Sequence, residues 1–184
     1  MTFYTKKTIS LFFIIFSITF CFAQKKIERP TNTIVQSFIK KLPNNLKNLN
    51  LKDLRESKDS LNIRVWRLTK ILTINCNNSV SSKYIKVDPK NPTVQPTPLY
   101  TDLNAKILLD SLVKNRILEL KDDNYRVRGP EAYVIIIEIA TKNNYRVVSF
   151  CSPNKDRSED NKSVLNIIDI IDKTIKKEEE KLDH

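Results

Sequence analysis

The sequence predicts an α+β fold: an antiparallel sheet of about five strands packed with two to three helices. Three observations carry that expectation. Five runs are rich in β-branched and aromatic residues, three stretches repeat apolar residues at helical spacing, and the chain order is helix, three strands, helix, two strands, helix. With 184 residues, 40% hydrophobic and 29% charged, there is apolar material for one ordinary domain rather than two.

The first element is not part of that domain. Lys6 and Lys7 precede an apolar run from Ile9 to Phe22 that carries no charge, and Ala23, Gln24 and Lys25 follow. This is the layout of a secretory signal peptide over residues 1–23, with cleavage expected after Ala23. The run is too short for a bilayer core that needs about 20 helical residues. Cys21 follows Phe20, not the small residue that lipoprotein processing wants, so no lipid anchor is expected. The mature chain, 24–184, is read as a single α+β domain, periplasmic or secreted, with no membrane span.

In the mature chain, Ile34, Val35, Phe38, Ile39 and Leu42 mark a helix behind the possible caps Thr31 and Asn32, and Pro43 is expected to close it. Residues 44–58, rich in Asn and Lys, read as a loop or an irregular helical turn. From Leu61 to Leu68 the pattern alternates, with Leu61, Ile63 and Val65 on one face and Asn62, Arg64 and Trp66 on the other. Ile71–Cys76 and Val80–Val87 form two further strands around Asn77 and Asn78, residues suited to a tight hairpin. Residues 88–98 hold four prolines and read as an extended connection, not a domain boundary.

Leu103, Ile107, Leu108, Leu112, Ile117 and Leu120 predict a helix over 101–121, with Asp102 near its amino end. Ala132–Thr141 and Tyr145–Cys151 form a second hairpin around Asn143 and Asn144. The first of these strands is apolar on both faces and therefore interior. A two-residue turn at that position sets Glu138 opposite Ser149. Val164, Ile167, Ile168, Ile171 and Ile175 predict the last helix.

Composition narrows the chemistry. The chain has one glycine, Gly129, and one histidine, His184 at the terminus, so glycine-rich phosphate loops and histidine-based catalysis have no supply of residues. Metal binding fails for the same reason, because Cys76 and Cys151 are far apart in the chain. No cofactor or metal is expected. Ser37, Ser111 and Ser152 each precede a lysine by three residues, but the other elements of serine–lysine enzymes are missing.

After removal of residues 1–23 the chain keeps 30 basic and 21 acidic residues, a net charge of +9. Such a surface attracts polyanions without specificity, and a solvated lysine-rich surface is the preferred reading over a dedicated polyanion site. Cys76 and Cys151 are an even pair in an oxidising compartment, so a disulfide is expected. It would close a loop of about 76 residues and contribute roughly 4–5 kcal/mol.

Arg64 and Trp66 share one side of a strand, and Arg126 and Arg128 form a second basic cluster beside Tyr125. These four residues are the sequence-predicted binding positions, and nucleic acid is not the expected ligand because exposed aromatics interleaved with cations are few. Glu138 interrupts an apolar strand and is the candidate buried acid, expected in a pair with Arg64 or another arginine; as a general acid it would need a second carboxylate nearby.

The segment Phe22-Ala23-Gln24, the strand Ile63-Arg64-Val65-Trp66, the glutamate-bearing strand Ala132–Ile139, and Tyr145–Phe150 followed by Pro153 together resemble small secreted proteins of unknown function from Bacteroidota. That resemblance implies export and an α+β module, and it carries over no catalytic residue. The expected function is a non-catalytic binding or interaction module for an unknown protein or acidic polymer of the cell envelope. The alternatives are a carboxylate-dependent hydrolase of an envelope polymer, or a structural subunit docked through the stripe of the last helix.

Overall fold

The computed structural model describes residues 25–30, 32–88, 98–101, 104–123 and 132–182. Its centre is a seven-stranded sheet: β1 (Lys26–Ile27), β2 (Leu61–Arg67), β3 (Lys70–Cys76), β4 (Val80–Lys86), β5 (Pro98–Thr101), β6 (Val134–Thr141) and β7 (Asn144–Cys151), in the order β1-β7-β6-β2-β3-β4-β5. β2 to β7 pair antiparallel, whereas the two-residue β1 runs parallel to β7. The α+β expectation holds, and β6 is interior. The five expected strands are β2, β3, β4, β6 and β7; the additions are short strands at the two edges. β5 begins at Pro98, and an edge is where a strand tolerates a missing N–H.

Three helices, α1 (Thr33–Asn48), α2 (Ala105–Lys114) and α3 (Glu159–Leu182), complete the domain. α2 and α3 cover one face. There Ile63, Val65, Leu72, Ile74, Ile135, Ile137, Val148 and Phe150 meet Leu108 and Leu112 of α2 and Val164, Ile167, Ile171 and Ile175 of α3 in the main core. The apolar stripe of α3 is thus spent on its own sheet, and it leaves none of those side chains for a partner. α1 packs on the opposite face, where Val35, Phe38 and Ile39 contact the side carrying Ala140, Tyr145 and Val147. No helix among the described residues is long and apolar enough to cross a membrane.

Several local expectations are revised. Pro43 does not close α1; it lies inside the helix at an exposed position, so the bond it cannot donate is missing on the solvent side, and buried Leu46 holds the extra turn. Asn32 caps the helix as expected, its Oδ1 accepting from the Ile34 N–H at 2.8 Å. α2 stops at Lys114 because Arg116 adopts φ 63°, and the Ile117 N–H reaches back to the Leu112 carbonyl at 3.2 Å. Ile117 and Leu120 stay buried beyond the helix, whereas Ile107 is 68% exposed. Asp102 and Leu103 lie outside the described residues, as does most of the proline-rich connection.

In the β6–β7 hairpin, Ala140 pairs with Tyr145 and Glu138 with Val147, so the turn is at Lys142 and Asn143. A turn displaced by one residue moves every partner by two and leaves each side chain on its expected face. The β2–β3 turn at Leu68 and Thr69 carries no glycine or asparagine signal, yet Leu68 adopts φ 47° with its side chain 77% exposed.

The expected disulfide is contradicted. No disulfide joins Cys76 and Cys151, which lie on strands separated by β2 and β6. Three strand spacings put them about 14 Å apart across the sheet, and they also sit at opposite ends of it, since Cys76 is level with Leu61 and Thr141 beside the β6–β7 turn. A disulfide needs Cα atoms within roughly 7 Å. Alkylation of the unreduced, denatured mature chain is therefore expected to label both thiols; an unlabelled species two hydrogens lighter would contradict this topology.

Candidate functional site

The face under α1 is built from alternate residues of the strands, and in register they form continuous rows. One row reads Val147, Glu138, Arg64, Thr73, Lys83 across β7, β6, β2, β3 and β4. The next reads Tyr145, Ala140, Asn62, Asn75, Ser81. The β7–β6 half lies beneath α1. Among the described residues, no helix lies above the β3–β4 half.

At the boundary sits a buried polar cluster. Glu138 is 0% and Arg64 1% exposed. Arg64 Nη1 lies 3.4 Å from Glu138 Oε2, and the same oxygen accepts from Trp66 Nε1 at 2.5 Å. Oε1 accepts from the Tyr145 hydroxyl at 2.8 Å. The rest of the guanidinium is also engaged, Nε donating to Thr73 Oγ1 at 3.1 Å and Nη2 to the Lys52 carbonyl at 2.8 Å. Its carbon lies 5.8 Å from the Trp66 ring centroid, and Phe38 of α1 meets that ring edge-on at 5.4 Å.

Burial pushes the Glu138 carboxyl above the usual carboxylate range, against the pull of Arg64, Trp66 and Tyr145. Burial first, then the Glu138 charge and the hydrogen bond to it, push the Tyr145 phenol up. The expected arginine–glutamate pair is therefore present, with its partners buried. Arg64 and Trp66 do not form an exposed binding face: one is enclosed, and the other is half-buried against α1. Arg126 and Arg128 lie outside the described residues.

Beside this cluster, the uncovered half of the face forms a cleft of about 770 Å³. Asn62, Arg64, Thr73, Asn75, Ser81 and Lys83 make its floor, and residues 50–59 make its roof. The roof is tied down from three directions. Lys25 Nζ donates to the carbonyls of Leu54 and Ser57 at 3.0 and 2.8 Å, Arg64 holds the Lys52 carbonyl, and Leu54 is buried in the core under α1.

Within the roof, burial raises the Asp53 pKa, but hydrogen bonds and charge from Arg55 outweigh it and hold the carboxyl below its ordinary value. Asn62 is fully buried; its Nδ2 donates to Ser57 Oγ at 2.9 Å and its Oδ1 has no partner. Sequence reading did not single out Asn62, Asn75, Ser81 or Lys83. Their signal was a polar residue at every second position of β3 and β4 on one face, beside an apolar alternate set.

Comparison with known proteins gives no match, whether to a family model, a curated relative or a solved structure.

Two outcomes follow for stability. Glu138→Leu leaves a buried guanidinium, an indole N–H and a phenol without their acceptor. It is expected to cost about 3–5 kcal/mol in urea unfolding, whereas Arg64→Met with Glu138→Leu recovers most of that loss. A lowered Asp53 pKa means that its contribution is whole above the ordinary carboxylate range and is lost as pH falls through the folded value. Asp53→Asn is expected to be less stable than wild type at neutral pH, and the difference should vanish in strong acid.

Proposed function

We propose that this protein is an exported, non-catalytic binding module whose ligand occupies the cleft over β2, β3 and β4. The observation that carries this reading is the uncovered half of the sheet face, where Asn62, Asn75 and Ser81 in one row and Lys83 in the next surround a volume in the range of small-ligand sites. A face meant only for solvent needs no roof, and this roof is fastened by a lysine, an arginine and a buried leucine. Export is supported by the opening segment, with β1 beginning three residues beyond Ala23. The resemblance to small secreted proteins points the same way, and the partner class is a component of the cell envelope.

Support for binding over hydrolysis comes from the engagement of Glu138. Both of its oxygens accept hydrogen bonds from protein donors, Val147 and Arg64 flank it across the sheet, and its side chain is closed off from the cleft and from solvent. The test uses a blocked cleft. Ser81→Trp fills the floor while leaving the main core untouched. Native mass spectrometry of the mature protein, incubated with a solubilised digest of its envelope, is expected to show a bound small species that the variant has lost. Equal adducts on both proteins would overturn the cleft as the site.

A further inference from the structure

The two ends of the cleft differ in chemistry, and both present groups that no other part of the described protein uses. At the deep end Asn62 offers a carbonyl oxygen without a hydrogen bond, in a side chain wholly out of contact with solvent. Next to it in register, the Asn75 amide and the Ser81 hydroxyl have no side-chain partner among the described residues. At the far end the Lys83 ammonium, half-buried beside Thr73, makes no ion pair among the described residues. The roof carries both signs, with Lys52 and Lys58 lining it alongside Asp53, Glu56 and Asp59. Asp53 is held by Arg55, while Glu56 and Asp59 lie on the stretch nearest Asn62 and Ser57.

From these unpartnered groups we infer that the cleft takes a short peptide with a free carboxylate, the carboxylate on Lys83 and a backbone N–H on Asn62 Oδ1. The inference rests on the cleft being the binding site. Asn62 and Lys83 are two strand spacings and two residues apart, about 12 Å between Cα atoms. An extended peptide rises roughly 3.3–3.6 Å per residue, so three or four residues span that distance. A peptide unit carries one donor and one acceptor, the complement of a primary amide such as Asn75 and of a hydroxyl such as Ser81. Its carboxylate meets the lysine, and its amino end reaches the stretch that carries Glu56 and Asp59. An acidic sugar polymer matches less well, because no aromatic ring among the described lining residues offers a sugar face a surface to stack on.

The test is an NMR titration of the mature chain with three probes: Ala-Ala-Ala with free termini, the same peptide as its carboxamide, and trigalacturonate. The free peptide is expected to shift the side-chain amide signals of Asn62 and Asn75. The carboxamide should bind about tenfold more weakly, the loss expected for one charge-assisted hydrogen bond. Lys83→Met should weaken the free acid by a similar factor and leave the carboxamide unchanged. Lys83→Gln serves the same end where the methionine variant fails to fold.

Equal affinity for acid and carboxamide, or an undiminished affinity in a folded Lys83 variant, would overturn the inference. Trigalacturonate shifting Asn62 and Asn75 while the peptide does not would replace the ligand class and leave the cleft standing. Silence from all three probes would end the peptide reading, whereas the cleft itself falls only if Ser81→Trp keeps the envelope adduct.

Discussion

The Arg64 guanidinium is where the sheet, the roof segment and the helical layer meet. A buried arginine is tolerated only when its charge is met and its donors are filled. Here one edge faces Glu138, Nε rests on Thr73 of the neighbouring strand, and Nη2 reaches the Lys52 carbonyl at the start of the roof. Those contacts fix more than the residue itself. Glu138 in turn orients Trp66 and Tyr145, and Trp66 receives Phe38 from α1. Helix position, roof position and the edge of the open floor therefore all refer to one side chain. An apolar pair in its place would fill the same volume, but it would give the roof no carbonyl partner on this side.

The cleft follows from an imbalance between the two faces of the sheet. One face has α2 and α3 above it, and its buried strand residues from β7 to β4 are apolar, apart from Ser82. The other has only α1, and a helix about 10 Å across covers two strands at the usual 4.7–4.9 Å spacing. Residues 49–60 extend the cover to β2, and beyond them β3 and β4 present Thr73, Asn75, Ser81 and Lys83. Polar residues at those positions remove the penalty that an exposed apolar face would carry. They also leave hydrogen-bonding groups aligned at strand spacing under an overhang, which is the arrangement a small polar ligand requires.

Much of this was legible along the chain because burial on one face of an element leaves a period. Val164, Ile167, Ile171 and Ile175 announce α3, and Ile63, Val65, Ile135 and Ile137 announce the strands that α3 covers. Glu138 stood out as a lone acid in an apolar strand, and Arg64 as its partner was readable from the alternation of β2. What failed was long-range or depended on backbone geometry. The Cys76–Cys151 bridge required knowing that β6 and β2 separate their strands, which no local pattern encodes. Pro43 looked like a terminator because the pattern does not say which side of a helix will face water. Leu68 and Arg116 take left-handed conformations without glycine or asparagine, so their turns gave no compositional sign. The cleft was missed for a related reason: polar alternation in β3 and β4 reads as an ordinary solvated face until a roof is found above it.

The roof brings the first described residues into the same argument. Lys25 lies two residues beyond Ala23, and its ammonium holds the Leu54 and Ser57 carbonyls, while Lys26 and Ile27 pair in parallel with β7. A parallel edge of two residues is weak by itself, since few backbone bonds offset the entropy of ordering the segment. The contacts of Lys25 with the roof add to it, and burial lowers the lysine pKa while Asp59 and Asp53 oppose that change. On the exported reading, the first residues left after cleavage therefore help to hold Ser57 over Asn62. Lys25 before β1 and Arg64 in the sheet grip the roof from its two ends, so the deep end of the cleft takes its shape only when both are in place.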